Sequence, residues 1–249
     1  MMQSTSKSVE QLFREKKESG EKMLSVLIDP DKAQAASLNR LLDEVEDLAD
    51  VFFIGGSLMT EDALDETLDR LKSRVDKPCI LFPGSAIQVS RKADALLMLS
   101  LISGRNAELL IGQQVIAAPR IKAFGLETLS VGYMLVDGGR ATTASYISQS
   151  PPIPSDKPEI AACTALAGSM LGMKHLYLDA GSGAMQHVPP EMIRQVSQSC
   201  DLPLIVGGGI RNAKAARQVA HAGADVLVVG NALEEDPGLA LSIKSAIHR

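Results

Sequence analysis

The chain is 249 residues long and 45% hydrophobic, with 25 Lys+Arg against 30 Asp+Glu and a formal charge of −5. That length suits one large domain or two small ones. An acidic balance without a basic run, and aromatic residues at only 3% of the chain, exclude the charge footprint and stacking platforms of a nucleic-acid binder.

In chain order, residues 1–21 read as a polar lead-in without the apolar segment of a signal peptide. A first apolar run at 23–28 is followed by Asp29-Pro30-Asp31-Lys32, and 33–49 then sets Leu38, Leu41, Leu42, Val45 and Leu48 on one helical stripe. Further runs lie at 51–54, 79–82, 95–99, 129–136, 175–178, 204–206 and 226–229, mostly separated by stretches with helical spacing. The Ala-rich stretch 212–222 follows a strand and a GGG turn. Continuous apolar strands fit a parallel sheet buried on both faces. Eight strand–helix units predict an α/β chain folded as a TIM (β/α)8 barrel, a single domain over 1–249, rather than a doubly wound sheet of five or six strands.

One connection breaks the pattern. Only the 12 residues 83–94 separate the third and fourth runs, and they include Pro83 and Gly84. That is too short for a full helix and two loops, so the third helix is expected to be missing or reduced. The gap leaves two readings open: an apolar groove for a long greasy ligand, or a face covered by a neighbouring subunit.

No apolar stretch reaches the roughly 20 residues of a spanning helix, so a soluble, cytoplasmic chain is expected. Cys79, Cys163 and Cys200 include no CxxC pair, and the four histidines show no HExxH spacing. A disulfide framework, a structural zinc site and a zinc hydrolase are therefore disfavoured, and without a GxSxG motif so is a serine hydrolase.

Barrel chemistry gathers at the carboxyl ends of strands. Asp29 and Ser57 end neighbouring strands and offer hard oxygens of the kind Mg²⁺ accepts when substrate phosphates complete its shell. The plainer reading is that Asp31 or Ser57 caps the following helix. Strand 7 ends in Gly207-Gly208-Gly209 and strand 8 in Gly230-Asn231. Glycines let backbone approach an anion, and these two loops are where such barrels hold phosphate. After strand 6, Tyr177 and Asp179 alternate onto one face, opposite Leu178, where a carboxylate beside a phenol can hold and deprotonate a hydroxyl.

IDPDK at 28–32, IGGS at 54–57, YLDAGSG at 177–183, GGGIR at 207–211 and VGNA at 229–232 together resemble the geranylgeranylglyceryl phosphate synthase family. FPGS at 82–85 and YMLVDGG at 133–139 are similar to the group shared by some archaea and certain bacteria. The resemblance runs from about residue 22 to 240. It implies a TIM barrel lacking the third helix and a prenyltransferase. Such an enzyme joins the 3-hydroxyl of sn-glycerol 1-phosphate to a polyprenyl diphosphate, geranylgeranyl diphosphate by the family name, releasing diphosphate in ether lipid biosynthesis.

Residue by residue, the resemblance implies Asp29 and Ser57 as Mg²⁺ ligands. It implies Tyr177, Leu178, Asp179, Ala180, Gly181, Ser182, Gly183, Gly208, Gly209, Gly230 and Asn231 as the glycerol phosphate site, with Tyr177 and Asp179 catalytic. One departure stands out, because many family members carry Glu at the position of Asp179. No organic cofactor is required. A homo-oligomer and transient membrane contact for the lipid product are further expectations. Two alternatives are an isomerase or aldolase acting on a sugar phosphate, and a non-catalytic prenyl-binding module.

Overall fold

In the computed structural model, which describes residues 8–248, eight parallel strands close into a barrel in which β1 pairs with both β2 and β8. They are β1 (Met23–Ile28), β2 (Val51–Ile54), β3 (Cys79–Leu81), β4 (Ala95–Leu101), β5 (Glu127–Leu135), β6 (His175–Asp179), β7 (Leu204–Gly207) and β8 (Val226–Val229). Alternation along each strand divides the core in two. Leu24, Val26 and Ile28 of β1 pack outward against the helices, whereas Met23, with Phe53, Leu97, Val131 and Ile205, fills the barrel. Both faces are covered, which is why the strands read as unbroken apolar runs.

The outer ring consists of α2 (Ala35–Val45), α3 (Leu64–Lys72), α4 (Gln113–Phe124), α5 (Thr143–Ser148), α6 (Pro158–Met170), α7 (Pro190–Ser199), α8 (Ala213–His221), α9 (Asn231–Glu235) and α10 (Leu239–Ile247). The stripe expected for α2 is buried at Leu38, Leu41, Leu42 and Val45, and Asn212 caps α8 through Ala215 N–H. No helix lies between β3 and β4. The connection that was too short to hold one is irregular, and the helical ring is open there.

The lead-in needs correction. Residues 1–7 lie outside the described part, but Val9–Ser19 form a helix, α1. Ser8 caps its start, and both Glu127 carboxylate oxygens, at the first residue of β5, accept from the Val9 and Glu10 N–H groups at 2.9 and 2.8 Å. Val9 and Phe13 enter the inner core, and the Phe13 ring meets His175 edge-on at 5.6 Å. Burying one such phenyl ring stabilises by about 1.5–3 kcal/mol. With only two buried positions in a Glu- and Lys-rich helix, its sequence reads as polar although it closes the amino-terminal end of the barrel.

Candidate functional site

At the carboxyl end of the barrel the strand ends surround a polar cavity of about 570 Å³. Asp29 follows the last residue of β1, and the turn it opens is tied by Lys32 N–H donating to the Asp29 carbonyl at 3.0 Å. Asp29 accepts from Asp31 N–H at 3.2 Å and pairs with Lys32 Nζ at 3.6 Å. A Cβ added at Gly56 would lie 3.3 Å from Asp29 Oδ1, so the turn carrying Ser57 rests against this carboxylate.

Neither Asp31 nor Ser57 caps a helix. The N-cap positions of α2 and α3 are Gln34 and Ala63. Asp31 instead accepts from Thr60 N–H at 2.6 Å, Thr60 hydroxyl at 2.9 Å and Glu61 N–H at 3.2 Å, locking two strand-end loops together. The Thr60 backbone bond leads in holding its carboxyl below the usual value. Among the described residues no three His, Cys, Asp or Glu side chains cluster as a metal site.

On β6, Tyr177 and Asp179 both line the cavity as alternation requires. Tyr133 of β5, paired in register with Tyr177, donates its hydroxyl to Asp179 Oδ2 at 2.6 Å, and Gly181 N–H donates to Oδ1 at 2.7 Å. Burial pushes the Asp179 carboxyl up, opposed by these two donors. Burial, followed by the nearby Asp179 charge, also raises the phenols of Tyr133 and Tyr177, so both stay protonated. Phe82, at the end of β3, stacks on Tyr177 at 5.2 Å and meets Tyr133 edge-on at 6.0 Å. Tyr133 was absent from the site expected from sequence.

The loops after β6, β7 and β8 converge. Ser182 hydroxyl donates to Asn231 Oδ1 at 3.1 Å. Gly208 and Gly209 have φ of 80° and 69°, a left-handed backbone that strains other residues. A Cβ on Gly209 would lie 2.4 Å from the Gln186 carbonyl oxygen, and one on Gly208 2.6 Å from Gly181 N. Only hydrogen fits at these contacts, so the loops approach closely enough to form a shallow backbone cradle.

Gly181, Ser182, Gly183, Gly208, Gly209, Gly230 and Asn231 all line the cavity. Leu178 and Ala180, named from sequence, do not. The Leu178 side chain faces the helices, and Ala180 N–H is taken by the Gly207 carbonyl at 3.0 Å. Two cations missed from sequence join the lining, Arg140 and Arg211. Arg140 lies over the β6 loop, where a Cβ on Gly183 would come within 2.5 Å of its Nη2. Arg211 donates to the Ala184 carbonyl at 2.8 Å.

A second, apolar cavity opens where the helix is missing. Val89, Leu96, Met98, Ala117, Ile121 and Leu109 line it, and it meets the polar cavity at Gly56, Ser57 and Phe82. On this chain the gap is an open apolar groove, the surface that both readings of the short connection require. A π-helical turn, Glu108–Gly112, leads into α4 along one side.

The chain is 52% identical over 237 residues to "Geranylgeranylglyceryl phosphate synthase" of Chitinophaga pinensis, a match covering 95% of this chain and 94% of that one. It is 41% identical to the protein of the same name from Pyrococcus abyssi, covering 91% and 90%. The fold matches the crystal structure of (S)-3-O-geranylgeranylglyceryl phosphate synthase from Thermoplasma acidophilum in complex with sn-glycerol-1-phosphate. That match has a TM-score of 0.90 and 33% identity, covering 97% of this chain and 98% of the other. Likeness to the tryptophan synthase alpha chain of Legionella pneumophila, at 19% identity and a TM-score of 0.56, concerns the barrel fold alone. The match to the PcrB family runs through residues 16–247, from within α1 to the last helix of the ring. The chain belongs to the PcrB family.

Proposed function

We propose that the protein transfers a polyprenyl group, geranylgeranyl by its relatives' names, from its diphosphate to the 3-hydroxyl of sn-glycerol 1-phosphate. The observation that carries this reading is the junction of a polar, backbone-lined cradle with an apolar groove at Gly56, Ser57 and Phe82. A small phosphorylated acceptor fits the first, and a long hydrocarbon tail fits the second. A sugar-phosphate isomerase or aldolase has no use for the groove, and a non-catalytic prenyl-binding module has none for the cradle.

In this reading Gly208, Gly209, Gly230, Asn231 and the 181–183 loop hold the glycerol phosphate, with Arg140 and Arg211 adding charge at its edge. Anchoring the phosphate fixes the hydroxyl for attack. The carbon–oxygen bond to diphosphate breaks, the ether carbon–oxygen bond forms, and the hydroxyl proton passes to Asp179. Two donors leave Asp179 with lone pairs to spare for the substrate hydroxyl. The shorter Asp in place of Glu is thereby held at fixed height rather than left free. Tyr177 shapes the acceptor pocket between Phe82 and Tyr133.

Asp29 and Ser57 fit Mg²⁺ as an incomplete oxygen shell, one carboxylate and one hydroxyl against the same cavity, which water and substrate diphosphate complete. The ion supplies neutralisation of charge on the departing diphosphate.

The same reading has the chain work in the cytoplasm as a homo-oligomer, with transient membrane contact as the lipid product leaves. Three free cysteines suit a reducing compartment, and exposed Ile87, Ile111, Val115 and Tyr146 supply apolar surface. No described helix is long and apolar enough to cross a membrane.

The experiment is incubation of the purified protein with labelled glycerol 1-phosphate, a ladder of prenyl diphosphates and Mg²⁺. Radiolabel moving into a chloroform-extractable phosphate ether is the expected result. Binding without turnover would establish the module instead.

A further inference from the structure

Lys32 stands between two carboxylates from different parts of the site. Its Nζ lies 3.6 Å from Asp29 Oδ2 and 3.3 Å from Glu234 Oε2. The turn after β1 folds Lys32 back over Asp29. Glu234 sits on the short helix that follows the Gly230-Asn231 turn, where its N–H donates to the Gly230 carbonyl at 3.1 Å. The bridge thus joins the β1 end to the β8 end of the cavity, side chains that are 202 positions apart in sequence.

The charge around it is unbalanced. Five carboxylates and three cationic side chains line the polar cavity, although the substrates assigned to it are anions. An ammonium close to Asp29 offsets that carboxylate while no metal is present. It also repels a divalent ion arriving at the same oxygens.

We propose that Lys32 is a diphosphate-binding residue that pairs with Asp29 until Mg²⁺ binds, and that Glu234 retains it beside the cavity when Asp29 turns to Mg²⁺. The proposal rests on reading Asp29 as a metal ligand. Glu234 is then a positioning residue, acting on the metal through Lys32 rather than by touching it.

The test is calorimetric titration of Mg²⁺ into the purified full-length chain without substrates, followed by inorganic diphosphate into the Mg²⁺-saturated protein. Lys32→Met is expected to tighten Mg²⁺ binding by about three- to five-fold, the scale of a half-exposed ion pair. It should weaken diphosphate binding by about ten-fold or more, as loss of a charge-assisted contact does. Glu234→Gln should weaken Mg²⁺ binding, because Lys32 falls back on Asp29, and should have no effect in the Lys32→Met background. A simple electrostatic role for Glu234 predicts equal effects in both backgrounds and overturns the proposal. Unchanged Mg²⁺ and diphosphate affinities in Lys32→Met overturn it also. Asp29→Asn separates the two layers: if that variant binds Mg²⁺ as the parent does, the metal reading fails. If it loses the ion while Lys32→Met is silent, only the role of Lys32 fails.

Discussion

Tyr133 and Asp179, on neighbouring strands and 46 positions apart, share a buried 2.6 Å hydrogen bond that links the lining of the apolar groove to that of the polar cavity. The strand register sets Tyr133 opposite Tyr177 and Leu135 opposite Asp179, so the phenol must reach one pair of residues along to meet the carboxylate. Because Gly181 N–H holds the other oxygen, Asp179 is fixed in plane and direction. Tyr133→Phe is expected to lower kcat by about ten-fold through lost orientation, and Asp179→Asn by about 10²-fold through loss of the base. Residues acting as one unit are not additive, so the double variant should be no slower than Asp179→Asn. Stopped assays of all four proteins check this.

The same bond predicts a pH effect. Tyr133 opposes the rise that burial imposes on the Asp179 carboxyl. Removing it lets the pKa climb further, and a base must be deprotonated to act. The acid limb of kcat/KM should therefore move to higher pH in Tyr133→Phe, while the alkaline limb stays. An unmoved acid limb would mean that Asp179 is not the group titrating.

Asp29→Asn should keep the melting temperature of the parent, since the side chain sits at the cavity and meets one local N–H and a half-exposed lysine. Turnover should fall to near background. A chelator should do the same to the parent protein, with activity returning on addition of Mg²⁺. Full activity of Asp29→Asn at limiting Mg²⁺ would remove Asp29 from the metal.

Gly209→Ala introduces a Cβ against the Gln186 carbonyl on a backbone at φ 69°. No flexible side chain can move aside there, so the cradle itself must shift. KM for glycerol phosphate should rise by about ten-fold or more, as expected for a backbone strain of order 1–3 kcal/mol, with little change in KM for prenyl diphosphate. Matching increases for both substrates would indicate a general disturbance of the barrel.

A stability effect sits at the opposite end of the barrel. Burial lowers His175 from 6.5 to about 4 in the folded chain, partly opposed by the Ser130 carbonyl and Glu10, with Lys174 and Arg14 acting in the same direction as burial. The unfolded chain binds this proton and the folded chain does not, so stability is full above about pH 6.5 and declines as pH falls towards 4. The loss amounts to at most about 3 kcal/mol. In His175→Leu, thermal melts between these pH values should show a flatter decline than the parent.

Much of the barrel was legible because both faces of each strand are covered. The runs at 23–28, 51–54 and 226–229 coincide with β1, β2 and β8, and the missing helix showed as a connection with too few residues. Relations between distant side chains were not legible. Tyr133 looked like one more residue of an apolar strand until the β5–β6 register set it beside Asp179. Arg140 and Arg211 sit in glycine turns whose fold alone decides where their guanidiniums go. The helix α1 escaped because Glu127, a residue 117 positions away from Glu10, supplies its amino-terminal anchor.

The gap beside β4 decides how a long molecule travels. A closed ring of helices would oblige a tail of this length to be threaded end-first through the barrel mouth and withdrawn the same way. A slot open along its side lets the chain be laid in broadside while its charged head comes down from above. Exit then needs no retreat past Asp179, the carboxylate proposed as the base. On the proposed reaction the finished amphiphile would leave sideways through the same slot, tail and head together.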